Sequence, residues 1–257
     1  MDWGNELFRR NIGMFTAEQQ MKLKNSSVAI AGLGGVGGIT AERLARLGIG
    51  TLHISDPDHF EPSNSNRQAL SNIETYGKNK AEIFEVELLK INPQLNIETW
   101  SEGVTKNNVM SFVDVDIAIN AIEYNLLQYS VDLHSAARDA GKTVLAGQAL
   151  GYGATVFVFE PDGVTFHEYI GLPINASETE IKDFVVPADK FCPQIPQYVE
   201  AQLVDKIVKQ EVHIPAISLG CMAAASLLLM AVISKILKIK ELPAVPAYLT
   251  VDFFELF

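Results

Sequence analysis

The run Gly32-Leu33-Gly34-Gly35-Val36-Gly37 follows a short β-branched segment and opens a helical pattern, and Asp56 stands nineteen residues beyond Gly37. Glycines in this setting let backbone approach a phosphate at a helix N-terminus, and an acidic residue at that distance can take ribose hydroxyls. The pattern alone suits any nucleotide, and it also suits a turn needed only for helix-strand packing. Arg67 closes the loop after Asp56, and Lys80 opens the next helical pattern thirteen residues later. A dinucleotide pyrophosphate carries about two charges, which a helix N-terminus can satisfy. ATP carries about four and calls for side-chain cations and usually a metal. Two cations facing one glycine turn therefore favour ATP; an NAD(P)-dependent oxidoreductase is the alternative that the glycines and Asp56 leave open.

The elements that must carry these residues alternate. Strand patterns cover 26–32, 51–55, 95–100, 115–121, 143–146 and 154–159; helical patterns cover 35–47, 79–92 and 126–140. Such alternation predicts an α/β, Rossmann-like, doubly wound and mostly parallel sheet with right-handed crossovers. Residues 1–257 are expected to form one domain: a helical arm over 1–24, a nucleotide-binding core over 25–160, and then a crossover segment, buried helix and final strand over 161–257. The proline-rich stretch 169–214 is expected to be largely irregular, and loops of that length are usually functional. The final strand, 247–254, extends the sheet.

Composition narrows the class. With 48% hydrophobic residues the chain can bury a full core, and a net charge of −11 argues against nucleic acid or an anionic membrane as partner. Long-range steering should then oppose a polyanionic ligand, whose binding would gain from moderate salt. Cys192 and Cys221 form no CxxC pair, and the five histidines lack metal-helix spacing, so neither a disulfide framework nor a transition metal is expected. The apolar run Leu219–Ile233 falls short of the ~20 residues that span a bilayer and reads as a buried helix in which Met222 and Met230 fill gaps. No apolar leader precedes the first strand, so a cytoplasmic location is expected. Gly141-Lys142-Thr143 resembles the end of a P-loop but precedes a strand, so it reads as a helix end. Asp114 and Asp116 read as caps at the start of a strand.

GLGGVGG at 32–38, LARLGIG at 44–50, Asp56-x-Asp58, the run Asn64-x-Asn66-Arg67-Gln68, Gly77-Lys78-x-Lys80 and Ile91-Asn92-Pro93 together resemble the ThiF/MoeB (HesA) family of adenylyltransferases, relatives of ubiquitin-activating enzymes. The likeness is close over about residues 10–150, and the chain resembles a subgroup without the family's zinc-binding cysteine pairs. It implies ATP and Mg2+ as cofactors, a homodimer, and a substrate carboxylate on a ubiquitin-like protein or peptide. By position, it puts Gly32, Gly34, Gly35 and Gly37 under the phosphates and Asp56, with Asp58 close by, on the ribose. Asn64, Arg67 and Lys80 would face the triphosphate with Gln68 packed nearby, and Arg10 would reach the neighbouring subunit's site.

The sequence departs from this pattern after the fourth strand, where the family's metal-binding motif has two aspartates. Here Asn120 stands in place of the first and Glu123 in place of the second. Glu123 keeps the charge on a longer arm and is the expected Mg2+ ligand, while a non-catalytic nucleotide- or partner-binding relative is the alternative. Cys192, within the crossover segment, corresponds to the region from which some relatives offer a thiol, although its setting is not basic enough to lower its pKa and it reads first as a half-buried loop cysteine.

Overall fold

The computed structural model describes residues 6–209 and 211–256. The arm contributes α1 (Ala17–Lys24), which opens on a Thr16–Gln19 capping box, preceded by a 3-10 turn at Arg9–Asn11. Then come β1 (Ser27–Ala31), α2 (Gly37–Leu47), β2 (Thr51–Ser55), α3 (Lys80–Ile91), β3 (Asn96–Trp100), α4 (Val109–Phe112) and β4 (Ile117–Asn120). Next are α5 (Leu127–Asp139), β5 (Thr143–Leu150), β6 (Gly153–Phe159), α6 (Phe166–Ile170), α7 (Glu178–Asp183), α8 (Ala188–Phe191) and α9 (Ala201–Val208). The chain ends through α10 (Ser218–Leu237) and β7 (Leu249–Asp252).

The strands form one seven-stranded sheet in the order β3-β2-β1-β4-β5-β6-β7. From β3 to β5 the pairing is parallel; β6 runs against both β5 and β7. Apolar alternation explains the layering. Ile30, Ile54 and Ile119 point to the face covered by α2, α3 and α10 through Leu44, Phe84, Leu88, Leu228 and Val232. Ala29, Ala31 and Ala118 point to the other face, under Phe112 of α4, Val131 and Leu133 of α5, and Ile170 of α6. Each such buried Leu, Ile or Phe contributes about 1.5–3 kcal/mol.

Local signals set the helix ends. Gly48, at φ +86°, takes the left-handed position after α2, and the Asn79 side chain accepts from Glu82 N at 3.1 Å to cap α3. Gly141, at φ +68°, turns α5 into β5, so the Gly-Lys-Thr run is a helix end. Asp116 Oδ2 accepts from Ser27 N at 2.8 Å and ties the starts of β1 and β4 together.

Two expectations change. The crossover segment is less irregular than its prolines suggest, because α7, α8 and α9 lie within it. The last apolar helix is 20 residues long, enough to cross a membrane by length and composition, yet it packs on β5 and β6 with half of its apolar window buried. It is not buried all round, since Met222 and Met230 are exposed rather than filling gaps. Inward residues (Ala224, Leu228, Ala231, Val232) and outward ones (Leu219, Met222, Ser226, Met230) divide by helical spacing.

Candidate functional site

The strand order reverses between β1 and β4, and open parallel sheets bind ligands at the carboxyl ends of strands flanking such a switch point. The glycine turn lies there, and its glycines are needed for different reasons. Gly32 has φ +92°, and a Cβ on it would overlap the Ala121 carbonyl, so the β1 and β4 loops touch at backbone distance. A Cβ on Gly37 would land on the Gly32 carbonyl oxygen, so helix and strand close on each other. At Gly35 a Cβ would come 2.7 Å from Cys221 Sγ and 3.3 Å from Arg67 Cγ. Gly34 differs: a Cβ there would meet only Gln68 Nε2, at 3.7 Å. Packing within the chain leaves room for a side chain at Gly34, so the bare backbone there suits approach from outside.

Asp56 is buried behind this turn. Its Oδ2 accepts from Leu33 N at 2.7 Å and its Oδ1 from Asp58 N at 2.9 Å, which ties the β1 loop to the β2 loop. Burial pushes its pKa up, opposed by Lys80 and by the two backbone donors. Lys80, 5% exposed at the first turn of α3, places Nζ 3.1 Å from Asp58 Oδ2, and its backbone N–H donates to Asp58 O at 2.9 Å. A buried ammonium and the N-terminus of α3 thus point toward one place.

The segment 62–68 forms the next wall. Asn64 is buried, and its Oδ1 accepts from Glu61 N at 3.0 Å, so it shapes the loop. Arg67 lays its stem along Gly35 and donates from Nη1 to Ser63 O and Asn66 Oδ1 at 3.2 and 2.9 Å. Gln68 is buried with Nε2 beside Gly34, and its Oε1 has no hydrogen-bond partner among the described residues.

β4 supplies the facing side. Glu123 is well exposed, with Oε2 4.0 Å from His213 Nδ1. Asn120 is buried and fully engaged: Oδ1 accepts from Ile122 N, and Nδ2 lies 3.1 Å from His134 Nε2. Because Oδ1 is taken, Nδ2 donates, and His134 must be the neutral ring with its hydrogen on Nδ1. Burial, then nearby His167, pushes His134 down to about 3, and its ring stacks on Phe166 at 4.2 Å. This buried pair escapes sequence reading, since a lone histidine in a helical pattern gives no sign of its partner.

Two expected residues lie apart from this cluster. Arg10 is exposed in the arm, which docks at the far end of α2: Asn11 Nδ2 and Gln20 Nε2 both donate to Leu47 O. The 11 residues of α2 separate that end from the glycine turn by about 16 Å. Arg10 therefore does not join its own chain's site. Cys192 is buried with Phe191 and Ile207, donates from Sγ to Gln194 O at 3.2 Å, and burial pushes its thiol up to about 11. In this arrangement it is a protonated thiol, not a nucleophilic thiolate. Cys221 is buried in α10 beneath Gly35, as expected of a core residue.

Comparison with known proteins agrees with this fold. The adenylyltransferase and sulfurtransferase MOCS3 of Drosophila grimshawi is 33% identical over 141 residues, covering 54% of this chain and 31% of that protein. The adenylyltransferase and sulfurtransferase UBA4 of Candida glabrata is 33% identical over 133 residues, covering 51% and 30%. The matched region is thus about a third of the length of these curated relatives. Among solved structures, E. coli MccB with AMPCPP and MccA superposes with a TM-score of 0.72 at 21% identity, covering 96% of this chain and 68% of that one. PaaA gives 0.70 at 23%, covering 98% and 71%. At these identities the structures speak for the fold. The ThiF family model matches residues 8–256, nearly the whole chain, and the chain belongs to the ThiF family.

Proposed function

We propose that this chain is an ATP-dependent adenylyltransferase that activates a carboxylate at the C-terminus of a small ubiquitin-like protein or peptide. The observation that carries the reading is Lys80, a buried ammonium at a helix N-terminus beside Asp56, Asp58 and the glycine turn. A turn built for packing alone would leave no reason to bury that charge. In the reaction, a carboxylate oxygen forms a bond to the α-phosphorus. The bond from that phosphorus to the bridging oxygen breaks, and pyrophosphate leaves with the electron pair. The carboxylate is already ionised at neutral pH, so no general base is required. Lys80 and Arg67 hold and neutralise the phosphate chain, and the glycine-turn amides donate to its oxygens at close range.

Mg2+ belongs to the same proposal. Among the described residues no three His, Cys, Asp or Glu side chains converge as a metal cage. That suits magnesium, which is commonly held by one or two carboxylates with phosphate oxygens and water. Glu123 is the carboxylate that would hold it, and the ion would supply charge neutralisation at the leaving phosphates. The engagement of Asn120 with His134 supports a second reading, a relative that holds nucleotide without turnover.

A homodimer is proposed on two grounds. Arg10 lies in the arm that docks at the end of α2 away from its own glycine turn, and α2 is about 16 Å long. Leu219, Met222 and Met230 also form an exposed apolar stripe on α10 that a second copy could cover. The two free cysteines fit a reducing compartment, and we place the protein in the cytoplasm.

ATP–pyrophosphate exchange with candidate peptides tests the enzyme: exchange should appear and should require Arg67 and Lys80. ATP binding without exchange for any supplied carboxylate would favour the holding protein. Mixing Arg10→Ala and Lys80→Ala chains should restore one competent site per heterodimer, and no recovery would count against trans supply of Arg10.

A further inference from the structure

β4 ends at Asn120, and the chain reaches Glu123 three residues later. Three hydrogen bonds fix the backbone on either side of that carboxylate. Ala121 N donates to Ala31 O at the end of β1, and Leu126 N donates to Glu123 O, both at 2.9 Å. Those two are backbone bonds that do not depend on side-chain type. The third does, because Ile122 N donates at 3.1 Å to the Asn120 side chain, at Oδ1. An amide has an acceptor at one end and donors at the other, so this bond exists only while the oxygen faces Ile122.

His134 decides which end that is. Its Nε2 carries no hydrogen and accepts from Asn120 Nδ2 at 3.1 Å. Turned over, the amide would present a donor to Ile122 N–H and its oxygen to a ring nitrogen that has nothing to donate. The ring is held in turn by two aromatic neighbours: it stacks on Phe166 of α6 at 4.2 Å and meets Phe159 of β6 edge-on at 4.6 Å. Asn120 and His134 are both buried, so an unpaired end would be costly. Glu123 is the one carboxylate between Asp116 and Asp132, so the exit from β4 presents a single acidic group and its placement matters. We propose that His134 is a positioning residue: through the Asn120 amide and Ile122 N–H it sets the backbone that carries Glu123 toward a metal–nucleotide complex. The inference rests on the adenylyltransferase reading for the use of Glu123. It gives Asn120 a part in the site although both ends of its side chain are engaged.

The test measures affinity for AMPCPP alone and for Mg2+–AMPCPP by calorimetry, and hydrogen exchange at Ile122 N–H by NMR without nucleotide. The wild type should prefer the magnesium complex at least tenfold and protect Ile122. His134→Leu and Asn120→Ala should reduce that preference below threefold and speed Ile122 exchange at least tenfold, with metal-free AMPCPP affinity within twofold. His134→Gln, whose Oε1 can accept from Asn120, should retain both properties. Glu123→Gln should lose the preference and keep the protection. Asn120→Ala removes the bond without disturbing the aromatic packing, so the idea is decided even where His134→Leu does not fold. It is overturned by a wild type without the magnesium preference, by a folded His134→Leu or Asn120→Ala variant that keeps it, or by a His134→Gln variant that loses it. Pyrophosphate exchange is read separately: its absence in the wild type would remove the adenylyltransferase reading, while the binding and hydrogen-exchange results would still decide the role of His134.

Discussion

The glycine turn and the crossover segment are held in place by different means. The glycine-turn wall is fixed by backbone and buried charge: Gly32 and Gly37 close against main-chain atoms, Asp56 accepts from two loops, and Lys80 is buried beside Asp58. The crossover segment is fixed by side chains. Phe191, Cys192 and Ile207 form a small cluster, Tyr124 stacks on Phe191 at 5.4 Å and donates to Ile207 O, and Tyr198 anchors the segment to β7 through Asp252. A wall that must meet the same phosphates each time benefits from rigidity. A segment packed on the sheet through its side chains can vary them without disturbing the sheet.

Substitutions can break this contrast, beginning with the largest effect. Gly37→Ala drives a methyl into the Gly32 carbonyl and should cost roughly 3 kcal/mol or more of stability in denaturant unfolding. A normal midpoint would show that the turn is not sterically closed. Lys80→Met leaves Asp56 without its buried counter-charge and should lower exchange about 100-fold, a larger loss than any single change in the crossover segment.

Acid tests the β4 side. His134 is depressed in the folded chain, so its stabilising effect is complete above pH 6.5 and declines as pH falls toward its folded value of about 3. Over that window it should cost about 1.4 kcal/mol per pH unit, roughly 2 kcal/mol between pH 6.5 and 5. His134→Gln keeps an acceptor for Asn120 and should flatten that slope in thermal melts; an unchanged slope would mean that His134 is not the titrating group.

Gly34→Ala sharpens the contrast within a single turn. Space exists for its methyl, so the melting temperature should hold while ATP affinity falls about tenfold by calorimetry. The smallest effect is expected in the crossover segment. Tyr198 donates to Asp252 Oδ2 at 2.8 Å and accepts from Tyr152 N at 2.9 Å, so Tyr198→Phe should loosen the crossover segment by about 1 kcal/mol. Proteolysis within 187–214 should quicken with ATP affinity unchanged, and a weaker affinity would show that the two regions are coupled.

The sequence by itself determined the nucleotide half. Strand, glycine turn, helix and Asp56 are consecutive, and hydrophobic periodicity with capping residues marks each boundary, so β1, α2, β2 and α3 were legible within a residue or two. Local interactions also reveal why Arg67 and Lys80 stand on either side of one loop. The tertiary structure alone decided what depends on distant partners. It paired Asn120 with His134, laid Cys221 under Gly35, and turned Met222 and Met230 outward on a helix whose composition suggested full burial. It also set Arg10 at the far end of α2. Short helices such as α8 and α9 carry too few turns for a periodic signal, and docking on the sheet, rather than propensity, fixes them.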